Sequence, residues 1–204
     1  MIDKVKEIFR HEASAIEKIP VTKSYEKAIR IIYLHVHEKN GKLVTSGMGK
    51  AGQIAHNIAT TFSSTGTPAV FLHPSEAQHG DLGILQENDV FLAISNSGKT
   101  REILELIELK NNLFPNVPVI VITGNENSPL VQLADCYILT GAPAEVCILG
   151  LTPTTSTTVM TVIGDALVVL LMDKIGFNAK EYAKRHHGGY LGAKLRDNSN
   201  NEQQ

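Results

Sequence analysis

Two stretches of this chain gather glycines and hydroxyls in patterns that could hold a phosphate. The first is Thr45-Ser46-Gly47-Met48-Gly49-Lys50-Ala51-Gly52. Gly47, Gly49 and Gly52 match the spacing of a dinucleotide-binding turn, and Glu76 lies near the distance of its acidic partner. A Walker loop is excluded, because its first glycine and its final Ser/Thr are both missing. A plain glycine turn that lets a helix pack closely explains the same residues equally well, so both readings stay open. The second stretch is Ser95-Asn96-Ser97-Gly98-Lys99-Thr100, with three hydroxyls in six residues. One hydroxyl suffices to cap a helix. Three, with a glycine and a helix start, favour an anion nest for a phosphomonoester.

Acid–base candidates lie elsewhere. Glu145 precedes Cys147 by two residues in an apolar run, where burial is expected to raise its pKa toward that of a general base. A loop glutamate facing water is an equal alternative. His186 is an imidazole, a side chain suited to proton exchange, in a Gly-rich segment. Beside Lys184-Arg185, the residues alone favour a surface imidazole. Lys50 could offset negative charge on substrate oxygens, or be a solvated lysine in a first turn. His73, Glu76 and His79, three apart in a predicted loop, allow a zinc reading, though a weaker one than two histidines one helical turn apart.

The elements that must position these groups follow from composition and periodicity. The chain has 204 residues, 43% hydrophobic and 20% charged, with a net charge of −2. That balance, with 5% aromatics and no Trp, gives no basic or base-stacking surface for nucleic acid. The longest apolar run, Ala166 to Met172, is short for a membrane span, and Met1-Ile2-Asp3-Lys4 does not open a secretory signal. A cytoplasmic α/β protein is expected, with Cys136 and Cys147 as reduced core residues. Apolar spacing predicts helices over 2–17 and from Tyr25 to about Asn40, together a helical arm over residues 1–40 that packs against a partner subunit. From Lys42, short apolar runs without alternation are separated by helical patterns. They predict a parallel sheet covered on both faces, a three-layer α-β-α sandwich of the flavodoxin/Rossmann-like kind. A helix from Pro153 to about Lys174, apolar nearly all round, should be buried. A short helix is expected over 178–187 and a polar tail over 196–204. In such a sheet, ligands bind at the carboxyl ends of the strands.

Several blocks together resemble the sugar isomerase (SIS) domain. They are Ser46–Lys50, Ser63–Pro68, His73–Gly83, Ser95–Gly98, Glu145–Thr158 and His186–Gly192. Within that superfamily the chain is similar to the D-arabinose-5-phosphate isomerases over roughly residues 30–195. The resemblance implies a five-stranded parallel sheet in a domain over 41–195. It also implies interconversion of D-arabinose 5-phosphate and D-ribulose 5-phosphate through an enediol, feeding 3-deoxy-D-manno-octulosonate (Kdo) synthesis for lipopolysaccharide, with no cofactor. It assigns proton abstraction to Glu145, ring opening to His186 delivered from a neighbouring subunit, and charge stabilisation to Lys50. Binding is assigned to Ser46, Gly47, Ser95, Ser97, Thr100, Thr65, Glu76, His79 and Glu102. No metal is obligatory, and His79 is a candidate ligand for inhibitory zinc. Oligomers built as dimers of dimers are expected, without nucleic-acid or membrane partners. CMP-activated Kdo is an expected feedback ligand at a rim of His73, His79, Lys184, Arg185, His186 and His187.

The chain departs from the family pattern in leaving no room for C-terminal CBS modules, in Lys99 where an acidic residue is usual, and in His187 after His186. Two other function classes compete. A phosphosugar sensor would use the Ser95–Thr100 loop without needing Glu145 and His186. A nicotinamide-dependent oxidoreductase would rest on Gly47, Gly49 and Gly52, yet it needs a substrate domain that 204 residues hardly supply.

Overall fold

Leu43–Gly47 (β1), Val90–Ile94 (β3) and Val119–Thr123 (β4) are buried at every position, which is why their sequences show no polar alternation. In the computed structural model, which describes residues 1–186, they form the centre of a five-stranded parallel sheet. Ala69–Phe71 (β2) and Cys136–Leu139 (β5) are its edges, in the order β2-β1-β3-β4-β5. The chain therefore moves outward from β1 to β2 and then returns to β3 on the other side of β1. That reversal places a crevice at the carboxyl ends of β1 and β3, where Gly47 pairs with Ile94.

Alternate strand residues feed the two faces. Leu43, Leu92, Ile94, Ile120 and Ile122 pack under Ser24–Ile32 (α2), Gly49–Ser64 (α3) and Thr155–Lys174 (α7). Val44, Phe91, Ala93, Val119 and Val121 pack under Pro74–Ala77 (α4), Arg101–Leu113 (α5) and Pro129–Gln132 (α6). Ile2–Glu17 (α1) leans on α7, and Ala179–Ala183 (α8) follows it.

Two expectations need correction. The expected arm over residues 1–40 is not an arm throughout: Ala28, Ile29 and Ile32 of α2 are core residues against the sheet and α7. Only α1 projects, with Ala15 buried and Phe9 67% exposed. Nor is α7 covered all round, since Val169 is 62% and Leu170 45% exposed. By length and apolar composition α7 would suit a bilayer, contrary to the expectation from uninterrupted apolar runs. Half of it is instead buried in this fold. The limit at 195, the tail over 196–204 and His187 lie outside the described residues.

The glycine turn after β1 serves close packing. A Cβ on Gly52 would stand 2.5 Å from the Gly47 carbonyl oxygen, and one on Gly47 would stand 2.8 Å from the Ala51 backbone. Here a methyl meets backbone, so the start of α3 must move to admit it. Gly52→Ala is expected to lower unfolding free energy by about 1–3 kcal/mol. The readout is a lower urea midpoint at an unchanged m-value, and an unchanged midpoint would show that the turn has slack.

Candidate active site

The loop after β3 is built from its own hydroxyls. Ser95 is 2% exposed; its Oγ lies 2.8 Å from Thr100 Oγ1 and accepts the Gly98 amide at 3.2 Å. Gly98 adopts φ +63°, and a Cβ there would overlap the Ser128 side chain, so the loop is pressed onto the turn after β4. Asn125 Nδ2 donates to the Ser97 carbonyl at 3.1 Å from that same turn. Ser97 is exposed, and its Oγ accepts the Lys99 amide at 3.2 Å. Thr100 is the N-cap of α5, yet its hydroxyl faces Ser95 and caps nothing. The first-turn amides of α5 are therefore without a side-chain cap, which suits an anionic group over Ser97 and Gly98.

Around this loop the expected residues divide. Lys50 is exposed on the first turn of α3, beside the carboxyl end of β1. Ser46 is fully buried and donates its hydroxyl to the Leu72 carbonyl at 2.7 Å. This corrects its assignment as a phosphate ligand: its hydroxyl proton is spent tying β1 to the segment after β2. Gly47 is buried beneath the α3 turn. Thr65 is at the far end of the 16-residue α3, about 24 Å along the helix axis from its start. Its hydroxyl donates to the Thr61 and Phe62 carbonyls. It belongs to the opposite edge of the sheet in this chain, and α3 is what separates it from the crevice.

His79 and Glu102 line one cleft, together with Ser75, Gln78 and Glu105. Glu76 is exposed on α4, a single helical turn where a loop was expected. His73 packs edge-on to Phe71. Among the described residues, no set of three His, Cys, Asp or Glu side chains is placed to hold a metal ion.

Glu145 lies between β5 and α7. Its Oε2 accepts from the Thr154 amide at 2.7 Å, the Thr154 hydroxyl at 3.0 Å and the Ser156 amide at 3.3 Å. Burial pushes its carboxyl up, but the Ser156 and Thr154 donors together pull harder, and the net displacement is below the ordinary carboxylate value. The expectation of a raised pKa is thus corrected. The apolar neighbours in sequence do not surround the side chain; the polar N-terminus of α7 does.

His186 stacks on Tyr182, with centroids 3.7 Å apart, and its Nδ1 donates to the Tyr182 carbonyl at 3.0 Å. Arg185 covers the Phe177 ring and lines a cleft with His56, Ser63 and Phe71 along the β2 edge. Among the described residues, no hydrogen bond or ring contact joins His186 to Glu145, Lys50 or the Ser95–Thr100 loop. The expected cationic rim is likewise divided: His79 lies in the Glu102 cleft and Arg185 on the β2 edge.

A sheet with this crevice, hydroxyl loop and capped carboxylate matches a known pattern. The model of the SIS domain matches residues 36–170. The chain belongs to the SIS domain family. Arabinose 5-phosphate isomerase KdsD of Escherichia coli K12 is 50% identical over 155 residues, 76% of this chain and 47% of that protein. The chain thus spans about half the length of the curated relatives it matches. A crystal structure from Bacteroides fragilis NCTC 9343, of a protein proposed to be a phosphosugar isomerase involved in capsule formation, superposes with TM-score 0.92. It is 66% identical, with 93% of this chain and 99% of that one covered. The structure of an E. coli CFT073 protein in complex with arabinose 5-phosphate gives TM-score 0.84 at 34% identity, covering 91% and 96%.

Some residues of this SIS site were not singled out from the sequence. Thr154 and Ser156 grip Glu145, and Asn125 and Ser128 back the Ser95–Thr100 loop. The run of hydroxyls from Thr152 to Thr158 was the available signal for the first pair. Cys147 is also placed differently from expectation: it is half-exposed rather than core. The Thr152 hydroxyl, with the Thr152 and Leu151 amides at 3.2 and 3.3 Å, brings its thiol down to about 7. Burial pushes the Cys136 thiol up, so it should stay silent. Iodoacetamide alkylation of Cys147 should titrate at about 7. Thr152→Val should move that midpoint upward, and an unmoved midpoint would remove Thr152 as the cause.

Proposed function

We propose that this protein is an aldose–ketose isomerase that interconverts D-arabinose 5-phosphate and D-ribulose 5-phosphate. The observation that carries this is that one parallel sheet is followed after β3 by an uncapped hydroxyl loop and after β5 by a carboxylate held ionised by a helix N-terminus. The loop suits the 5-phosphate, and the carboxylate suits a C–H proton. Relatives named arabinose 5-phosphate isomerase and a similar structure holding arabinose 5-phosphate support the substrate.

In the proposed mechanism, His186 moves the anomeric hydroxyl proton to the ring oxygen and opens the sugar. Glu145 then takes the C2 proton, and the electron pair forms the C1–C2 double bond of an enediolate. Lys50 offsets the charge on its oxygens. Return of the proton to C1, with the O2–H proton passing to O1, leaves the ketose. The steps balance without a redox partner. The product pair feeds Kdo synthesis for a surface polysaccharide, and the protein works in the cytoplasm.

Mixing the protein with arabinose 5-phosphate and assaying ketose formation tests the activity; no ketose at high enzyme concentration ends the proposal. Glu145→Gln keeps the shape and loses the base, so kcat should fall on the order of 10²–10⁴-fold. Near-normal turnover in that variant removes Glu145 from the chemistry. Because its pKa is lowered, Glu145 stays ionised until the pH falls below the ordinary carboxyl value of about 4.3. The hydrogen bonds responsible stabilise the fold above that value and lose their effect as the pH drops through the folded pKa. Thr154→Val should therefore move the acid limb of kcat/KM upward, and an unmoved limb would detach Thr154 from the titration.

His186 is proposed to serve the site of a neighbouring copy, as its lack of contact with Glu145 in its own chain suggests. An apolar cleft between α1, α2 and α7, lined by Ile16, Val21, Tyr25, Val162 and Leu170, favours such assembly. Co-expressed Glu145→Gln and His186→Ala chains should recover part of the activity that each lacks alone. No recovery in verified mixed oligomers would put both groups in one chain's site.

A further inference from the structure

The connection that carries Glu145, residues 140–154, contains no helix or strand, so side chains must hold it in place. Both residues flanking Glu145 are tied toward α1. His11 Nε2 donates to the Ala144 carbonyl at 2.8 Å. The Val146 amide donates to Thr155 Oγ1 at 3.1 Å, and that hydroxyl donates to Glu12 Oε1 at 2.9 Å. Further back, a Cβ on Gly141 would stand 3.2 Å from the Lys18 carbonyl oxygen, just past the end of α1.

Thr155 is fully buried and lies between Thr154 and Ser156, whose amides grip Glu145. A hydroxyl has a single proton. With that proton given to Glu12, the lone pairs of Thr155 remain for the Val146 amide, and the chain of bonds has one direction. The other Glu12 oxygen, Oε2, is buried with no hydrogen-bond partner. An unpaired buried carboxylate oxygen costs folding free energy, so Glu12 is a poor stabiliser of α1 on α7. Ala15 already packs that interface. What Glu12 does well is hold Thr155.

We propose that Glu12, with His11 beside it, is a positioning residue for the reaction: α1 holds the peptide on both sides of Glu145 and so sets the direction of its carboxylate. This rests on the isomerase reading given above. It adds a role for a helix that lies outside the 36–170 match to the family.

Glu12→Ala, Glu12→Gln, Thr155→Val and the Glu12→Ala/Thr155→Val double variant are compared in steady-state turnover of arabinose 5-phosphate. Hydrogen–deuterium exchange of the 140–154 peptide is measured on the same samples. A small misplacement of a reacting group costs rate, so Glu12→Ala should lower kcat about 10-fold with KM within about twofold. Glu12→Gln keeps a carbonyl oxygen for Thr155 and should recover most of that loss. The double variant should be no slower than Thr155→Val alone, because the same chain of bonds is cut once. Exchange should quicken in Glu12→Ala and Thr155→Val, and not in Glu12→Gln.

A raised KM at unchanged kcat, additive losses, or equal damage from Gln and Ala would overturn the proposal. If the wild-type protein turns over no arabinose 5-phosphate, the isomerase reading fails separately. The exchange pattern then judges the tie alone: quickening in Glu12→Ala but not Glu12→Gln upholds it, and uniform exchange ends it. Should Glu12→Ala not fold, Thr155→Ser, which keeps the hydroxyl, and Thr155→Val, which lacks it, make the same comparison.

Discussion

The reversal of strand order between β1 and β3 is the constraint on which the rest of the molecule depends. Parallel strands deliver all their carboxyl ends to one edge of the sheet, and the chain leaves β1 and β3 toward opposite faces. The two loops therefore part, and the space between them is left open to a ligand. The Ser95–Thr100 loop reaches this space from one side and the Lys50 turn from the other. Without the crossing to β2 and back, the same loops would cover one another.

Helix N-termini then distribute the electrostatics. At α5, Thr100 turns its hydroxyl to Ser95 and leaves the first amides uncapped, a place for negative charge brought by a ligand. At α7, the corresponding amides are occupied by the chain's own Glu145. One helix is thus open to an anion, while the other holds an internal carboxylate in its ionised form. A carboxylate with a lowered pKa is a modest base. In the reaction we propose, its strength would depend on how well Lys50 polarises the sugar and on water leaving the crevice. The hydrogen bonds that lower its basicity also hold it still.

Placement of that carboxylate is not a property of the sheet alone. The stretch from β5 to α7 has no ladder of its own, and its anchors come from α1, from the first turn of α7 and from the Cys147 turn. The helices outside the sheet are accordingly of two kinds. α2, α3 and the buried side of α7 fill the core, whereas α1 contributes little buried apolar area but two hydrogen bonds, one to the Glu145 connection at Ala144 and one to Thr155 at the start of α7. The exposed side of α7, with Val169 and Leu170, is continuous with that region of α1.

Much of this was legible in the residues. Unbroken apolar runs such as Val90–Ile94 and Val119–Ile122 specify strands buried on both faces, and hydroxyls gathered between Ser95 and Thr100 specify a loop tied by its own side chains. Both signals are local, because burial and hydrogen-bonding capacity belong to residue types at short spacing. Tertiary structure decided the rest. Ser46 and Ser97 look alike in sequence, yet one hydroxyl is consumed by the Leu72 carbonyl and the other stays exposed. Thr65 shares a motif with its neighbours but caps the far end of α3. Glu145 sits among apolar residues in sequence and among amide and hydroxyl donors in space, which reverses the direction of its pKa. His11 and Glu12 carried no signal, since their partners Ala144 and Thr155 are more than a hundred residues away. A pattern in sequence states which groups the chain carries; which lone pairs are already taken depends on contacts that only the folded chain creates.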